Sequence, residues 1–269
     1  FATMAADDPS PVVRLYLAAA LQRLPHAQRW PIADALATHR EDAADANLPL
    51  LLWYGIQPAV PEDPARALAL AAATSLPELA EFVVRRLAEA GGPCLAAVLD
   101  RIGANRAPES IARQLEFVQR GLARSHAPAM PANWPDVHAR IDRLGDAAAS
   151  EAALWLAGRF GDPAARPRLL QIASDPLGKR ERRERAFELL TGDRAPELGP
   201  TLRSLATDPL LGERALRALA DVDDAATAPW LLQILPTLGE RQRRAAVQTL
   251  VSRPPFALLL LAAVEAGTA

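Results

Sequence analysis

A single cysteine, Cys94, stands in a chain of 269 residues, so no intrachain disulfide can form. A core of this size needs no such staple, and the compartment stays open on this ground. Lysine is as scarce: Lys179 is the only one, and arginine supplies the remaining basic residues. Aromatic residues make up 5% and the net charge is -2, so there is no global basic field to attract nucleic acid or acidic lipid. No apolar run reaches the ~18 residues of a membrane-spanning helix. The stretch Leu48 to Ile56 is about half that length and carries Pro49. The first residues lack a basic region followed by an apolar one, so they do not read as a signal peptide. Phe1 is not an initiator and the tail from Leu258 to Leu261 is apolar, which suggests one domain of a longer protein.

Catalytic signatures are missing as well. There is no Gly-x-Gly-x-x-Gly, no phosphate-binding Gly-x4-Gly-Lys-Ser/Thr and no Gly-x-Ser-x-Gly elbow. The four histidines, His26, His39, His126 and His138, fall in no metal-binding spacing. Cys94 has neither a second cysteine nor a following histidine, so the chain contains no haem-attaching Cys-x-x-Cys-His. It reads as a small core residue, although its place just after a helix-starting proline could favour a thiolate. His126, Met130 and His138 read as loop residues rather than iron ligands. The acidic stretches Glu41 to Asp45 and Asp221 to Asp224 lack the glycine and closing glutamate of a calcium loop, and read as turn-capping aspartates.

What the chain does have is helix signals, one after another. Hydrophobic residues make up 50% of it and no alternating β pattern or hairpin dipeptide appears. After Asp8-Pro9-Ser10-Pro11, one stripe takes Val12, Tyr16 and Ala19, and the next takes Val13, Leu17, Ala20 and Leu24. Ser75-Leu76-Pro77-Glu78 has the spacing of a capping box, and Gly91-Gly92 ends the helix that follows. Ile111, Leu115, Val118 and Leu122 form an inward stripe, as do Val137, Ile141 and Leu144. Many of the 24 prolines stand just inside a predicted helix start: Pro11, Pro49, Pro64, Pro77, Pro93, Pro108, Pro135, Pro167 and Pro229. Proline is tolerated there because the first amides have no intrahelical acceptor. Asn47, Asp63 and Asn133 sit where N-caps belong.

The second half repeats. Pro167-Arg-Leu-Leu-Gln-Ile172 returns 62 residues later as Pro229-Trp-Leu-Leu-Gln-Ile234, with a degenerate copy, Pro200-Thr-Leu-Arg-Ser-Leu205, between them. Asp162, Asp193 and Asp224 mark turns 31 residues apart, and Asp175-Pro176 and Asp208-Pro209 mark the alternate turns. Two helices in about 31 residues make a helical solenoid unit, and a short HEAT-type repeat fits better than ankyrin or tetratricopeptide signatures. The expectation is an all-α, right-handed α-α superhelix of roughly 14 to 16 helices, from a mean helix of ~11–12 residues. Residues 1 to 145 read as divergent repeats and 146 to 269 as regular ones, in one solenoid.

Two surfaces stand out. Lys179 to Arg185 alternates in sign on a predicted helix, with Glu181 and Arg185 four apart, and reads as a solvated, salt-bridged face rather than a nucleic-acid contact. Arg241, Arg243 and Arg244 add basic character in the same half, where a shared concave face would make a docking surface. Arg180, Arg183, Arg241 and Arg244 are therefore the candidate docking residues. The other stretch is Asn47-Leu-Pro-Leu-Leu-Leu-Trp-Tyr-Gly-Ile56, read as a short core helix capped by Asn47, with Trp53 and Tyr54 as core fillers.

Two segments go beyond generic repeat periodicity: Asp7 to Pro25, continuing to Arg29-Trp30, and Glu41 to Ile56. With Arg14, Tyr16, Trp30, Asn47, Trp53 and Tyr54 as motif residues, they resemble the HEAT-repeat segment of the PVC-type haem-binding family of membrane-bound dehydrogenase-like proteins. The resemblance covers roughly residues 5 to 90. It implies a non-catalytic spacer between a sugar-dehydrogenase-like β-propeller and a cytochrome c domain, in an exported, periplasmic redox protein. Haem c is then expected in the parent protein, and no cofactor, metal or catalytic residue in this segment. The partners would be flanking domains or another protein, with no nucleic acid and no transmembrane segment. The alternatives are a general protein-binding solenoid, or a HEAT-like enzyme of the chromophore-lyase or DNA-glycosylase kind.

Overall fold

The computed structural model describes residues 1–125, 128–192 and 198–267. Among these residues every regular element is helical. The described residues form 17 α-helices, slightly more than the roughly 14 to 16 expected, joined in places by short 3-10 turns. They are α1 (Ala2–Asp7), α2 (Pro11–Ala20), α3 (His26–Leu36), α4 (Leu48–Ile56), α5 (Pro64–Ala73), α6 (Pro77–Ala90), α7 (Gly92–Ala104), α8 (Pro108–Gly121), α9 (Trp134–Asp142), α10 (Ala147–Arg159), α11 (Arg166–Ser174), α12 (Arg180–Thr191), α13 (Leu198–Leu205), α14 (Gly212–Ala218), α15 (Thr227–Ile234), α16 (Glu240–Val251) and α17 (Pro254–Glu265). The short helix α1, ahead of the Asp8 turn, has no counterpart in the sequence reading.

The starts follow the proline rule. Pro11, Pro49, Pro64, Pro77, Pro93, Pro108, Pro135 and Pro167 occupy the first or second helical position. Pro229 stands one place later, third in α15. Aspartates make the turns. Asp8 accepts from the Ser10 amide, Asp45 from Asn47 and Leu48, Asp162 from Ala164, Asp175 from Leu177, Asp208 from Leu210 and Leu211, and Asp224 from Ala226. A carboxylate that takes the amide two residues on closes the turn without another residue's help. Asp193 lies outside the described residues. Asp63 caps α5 through the Arg66 amide, as expected. Asn47 does not cap α4; the carboxylate of Asp45 does that instead. The capping box is also absent: the hydroxyl of Thr74, not Ser75, accepts from the Leu76 amide, and the Ser75 amide donates to the Ala37 carbonyl.

The chain forms two compact units, Phe1–Leu156 and Ala157–Ala269, with the division inside α10. In the first, the helices alternate between two layers. Helices α1 and α3 pack together, as do α5, α7 and α9; α2, α4, α6 and α8 pack in sequence as the other layer. Leu17, Leu21, Leu52, Ile56, Val83, Leu87, Leu99, Ile111, Leu115 and Val118 fill the space between. A single helix pair could not cover its apolar stripe, whereas stacked pairs share one core. Gly55 permits a close approach: a Cβ there would stand 2.5 Å from the Leu21 Cβ.

In the second unit the three sequence copies fall on corresponding helices, α11, α13 and α15. Each is followed by its own partner: α11 packs on α12, α13 on α14 and α15 on α16, while α14 also packs on α16. The 31-residue period is therefore one helix pair per repeat.

One device recurs in both units. An arginine at the fourth position of a helix reaches back to a carbonyl ahead of that helix, and in three of the four cases also forward to a later part of the chain. Arg14 donates from Nε and Nη2 to both oxygens of Asp42, at 2.6 and 2.7 Å, and from Nη1 to the Asp8 carbonyl at 3.0 Å. Arg29 joins the carbonyls of Leu24 and Gly55. Arg183 joins the Ala173 carbonyl to Asp208 at 2.5 Å. Arg243 turns back to the carbonyls of Leu235 and Leu238. The planar guanidinium fork suits such a bridge, because its donors diverge in fixed directions.

Candidate interaction surfaces

The basic residues picked from sequence do not act as a group. Arg183 is 6% exposed and bound to Asp208 and Ala173, so it belongs to the packing of its unit and not to a docking surface. Its stem fills space between turns while its head is satisfied internally. Arg180 and Arg244 are exposed, but each pairs within its own helix, with Glu184 at 3.1 Å and Glu240 at 2.5 Å. Arg241 is exposed. These three stand near the starts of α12 and α16, with α14 between those helices in the chain order.

The motif residues divide in the same way. Arg14 is buried in its bidentate pair, Trp30 is buried under the guanidinium of Arg66, and the Trp53 ring lies 5.4 Å from that of Phe82. Arg66 also pairs with Asp34. Asn47 is exposed. Tyr16 and Tyr54 are the two corrections: they are 72% and 52% exposed, not core. On α2 and the 3-10 turn after it the buried stripe is Arg14, Leu17, Ala18 and Leu21, which turns Val12 and Tyr16 outward. On α4 the buried set of Leu48, Leu52, Trp53 and Ile56 turns Leu50 and Tyr54 outward. The neighbouring helices α2 and α4 thus each show an apolar residue and, one turn on, a tyrosine. Large apolar side chains clustered on a surface mark interaction sites more often than scattered ones do.

The acidic stretches are structural. Asp42 is held by Arg14, Asp45 caps α4, Asp223 pairs with Arg253 at 2.7 Å, and Asp224 pairs with Arg203. For Asp208 and Asp224 burial pushes the carboxyl up, but amide and arginine hydrogen bonds outweigh it and hold both below the ordinary value. The amides of Asn47 and Leu48 lower Asp45 in the same way. Cys94 is half-buried and its thiol donates to the Pro61 carbonyl at 3.6 Å. The His138 ring stacks on Trp134 at 5.1 Å. His126 lies outside the described residues, so the His126–Met130 pair has no structural account. Among the described residues no group of three or more His, Cys, Asp or Glu is placed to hold a metal ion. No single described helix is long and apolar enough to cross a membrane; α16 and α17 pass that test only together, and they bend by 118° at their junction.

One feature had no signal in the sequence. A cleft of about 430 Å³ opens between the end of α7, the start of α8 and the end of α9. Gly103, Asn105, Arg106, Arg140 and Arg143 line it over a floor that includes Ile111 and Ile141. Arg101 and Gln114 line a depression that shares Asn105. Its arginines come from two stretches more than thirty residues apart, and only the packing of α7, α8 and α9 gathers them.

Comparison of the chain with protein-family models, curated proteins and solved structures returns no match.

Proposed function

We propose that this chain is a non-catalytic helical-repeat scaffold that docks a protein partner through the exposed side of α2 and α4. The observation that carries the reading is the outward placement of Val12, Tyr16, Leu50 and Tyr54 on two adjacent helices whose other faces form the core. Tyrosine suits docking because it offers large contact area and a polar tip at low conformational cost. The resemblance to the haem-binding family suggests the partners: a sugar-dehydrogenase-like β-propeller and a cytochrome c domain, held apart by a right-handed HEAT-type superhelix in an exported protein. Haem c would belong to the cytochrome domain.

The test is electron transfer in a polypeptide carrying both modules. Removing residues 1–269 while keeping the propeller and the cytochrome should slow substrate-to-haem transfer at least tenfold. Unchanged transfer would end the spacer reading.

A further inference from the structure

Many arginines of this chain are engaged by carboxylates. Arg14, Arg66, Arg85, Arg120, Arg203 and Arg217 all have such a partner. The cleft between α7, α8 and α9 departs from that pattern. Arg106, Arg140 and Arg143 line it, Arg101 lines the adjoining depression, and among the described residues no aspartate or glutamate lines either. Arg143 directs Nε to the Ala139 carbonyl at 3.0 Å, which leaves its terminal nitrogens for other partners. Asn105 is not such a partner: its Nδ2 donates to Ser110 and its Oδ1 accepts from the Ala107 amide.

Arg101 and Arg140 stand in the last turns of α7 and α9, where they also offset the carbonyl ends of those helices. That role accounts for two positive charges. It does not account for Arg106 in the loop, nor for the placement of several arginines around one concavity. The floor is firm: Ile111 and Ile141 are 0% and 1% exposed, and Gly103 packs on Val137. A volume near 430 Å³ falls within the small-molecule range of ~300–1,000 Å³. Guanidinium forks match phosphate and carboxylate oxygens in pairs, which a point charge does not.

We infer that this cleft binds a small molecule carrying two or more oxyanion groups, either phosphates or carboxylates, between Arg106 and Arg140. Such a ligand would supply the negative charge that the lining lacks. The site lies on different helices from the tyrosine face and does not depend on the docking reading.

Isothermal titration with pyrophosphate and with citrate, at matched ionic strength, tests it and separates the two sources. Saturable one-to-one binding of either is expected. Pyrophosphate alone would assign the phosphate class, citrate alone the carboxylate class, and both a general oxyanion site. Arg106→Ala and Arg140→Ala should each weaken binding about tenfold, in line with the loss of a charge-assisted hydrogen bond. Arg140→Lys should recover part of the loss, and Arg23→Ala, remote from the cleft, should have no effect. Helical circular dichroism of each variant checks that the fold is kept. No saturable binding of either anion, equal binding by Arg106→Ala/Arg140→Ala, or equal weakening by Arg23→Ala would overturn the inference.

Discussion

Arg14 and Tyr16 exchange the roles that hydrophobicity assigns them. The sequence reading puts Tyr16 on a stripe with Val12 and Ala19 and counts it among the core or motif residues. The structure buries Arg14 instead, since both oxygens of Asp42 and the Asp8 carbonyl satisfy its guanidinium. A buried charge is tolerated when it is paired and fully hydrogen-bonded, and a ranking of residues one at a time cannot see the partner. The same reason explains Arg183, read as surface from its charged neighbours. Arg14→Ala leaves Asp42 buried without its partner and should destabilise the protein by about 3–5 kcal/mol. Replacing both, Arg14→Leu with Asp42→Leu, should recover most of that. Urea unfolding of the two variants and the parent checks this, and an equal cost for single and double replacement would contradict it. Tyr16→Ser and Tyr54→Ser should change stability by no more than about 0.5 kcal/mol, because both side chains face solvent.

At the scale of elements most of the architecture is legible. Proline near a helix start and aspartate in the turn are local signals with local causes, so α2 and α4 to α9 start where the spacing puts them, whereas α3 had no such signal and α2 ends at Ala20, short of Leu24. The repeat motif is legible for the same reason, since its copies occupy α11, α13 and α15. Caps were less so: Asp45 rather than Asn47, and Thr74 rather than Ser75, take the amides, because the choice depends on backbone angles that neighbouring side chains do not announce. Asp45→Ala should lower the melting temperature through the loss of the α4 cap. The aspartates also set the acid limit. Asp45, Asp208 and Asp224 are held below their ordinary values, so the folded state binds protons less readily than the unfolded chain. Their contribution is complete above the unfolded value of about 3.9 and is lost as pH falls through the lower folded values. The melting temperature should therefore drop as pH falls below about 4, and Asp208→Asn should flatten that drop. A profile identical to the parent's would remove Asp208 from the account.

For the whole molecule, the all-α class follows from periodicity, while the arginine-lined cleft does not, because it exists only once three helices have packed. Nearest-neighbour stacking also has a consequence for how damage spreads. In Asp208→Asn, hydrogen exchange should quicken in α12, α13 and α14 and stay unchanged in α2, α4 and α6. Uniform loss of protection would mean that the repeats do not behave as separate neighbours. The docking face is the central claim, and it is tested most directly by binding. Titration of this chain with an isolated propeller module and an isolated cytochrome c module should give a saturable complex with at least one of them. Tyr16→Ser with Tyr54→Ser should weaken that complex at least tenfold, the effect expected of central aromatic contacts, with the melting temperature unchanged. No complex with either module, or an affinity indifferent to both tyrosines, would contradict the account.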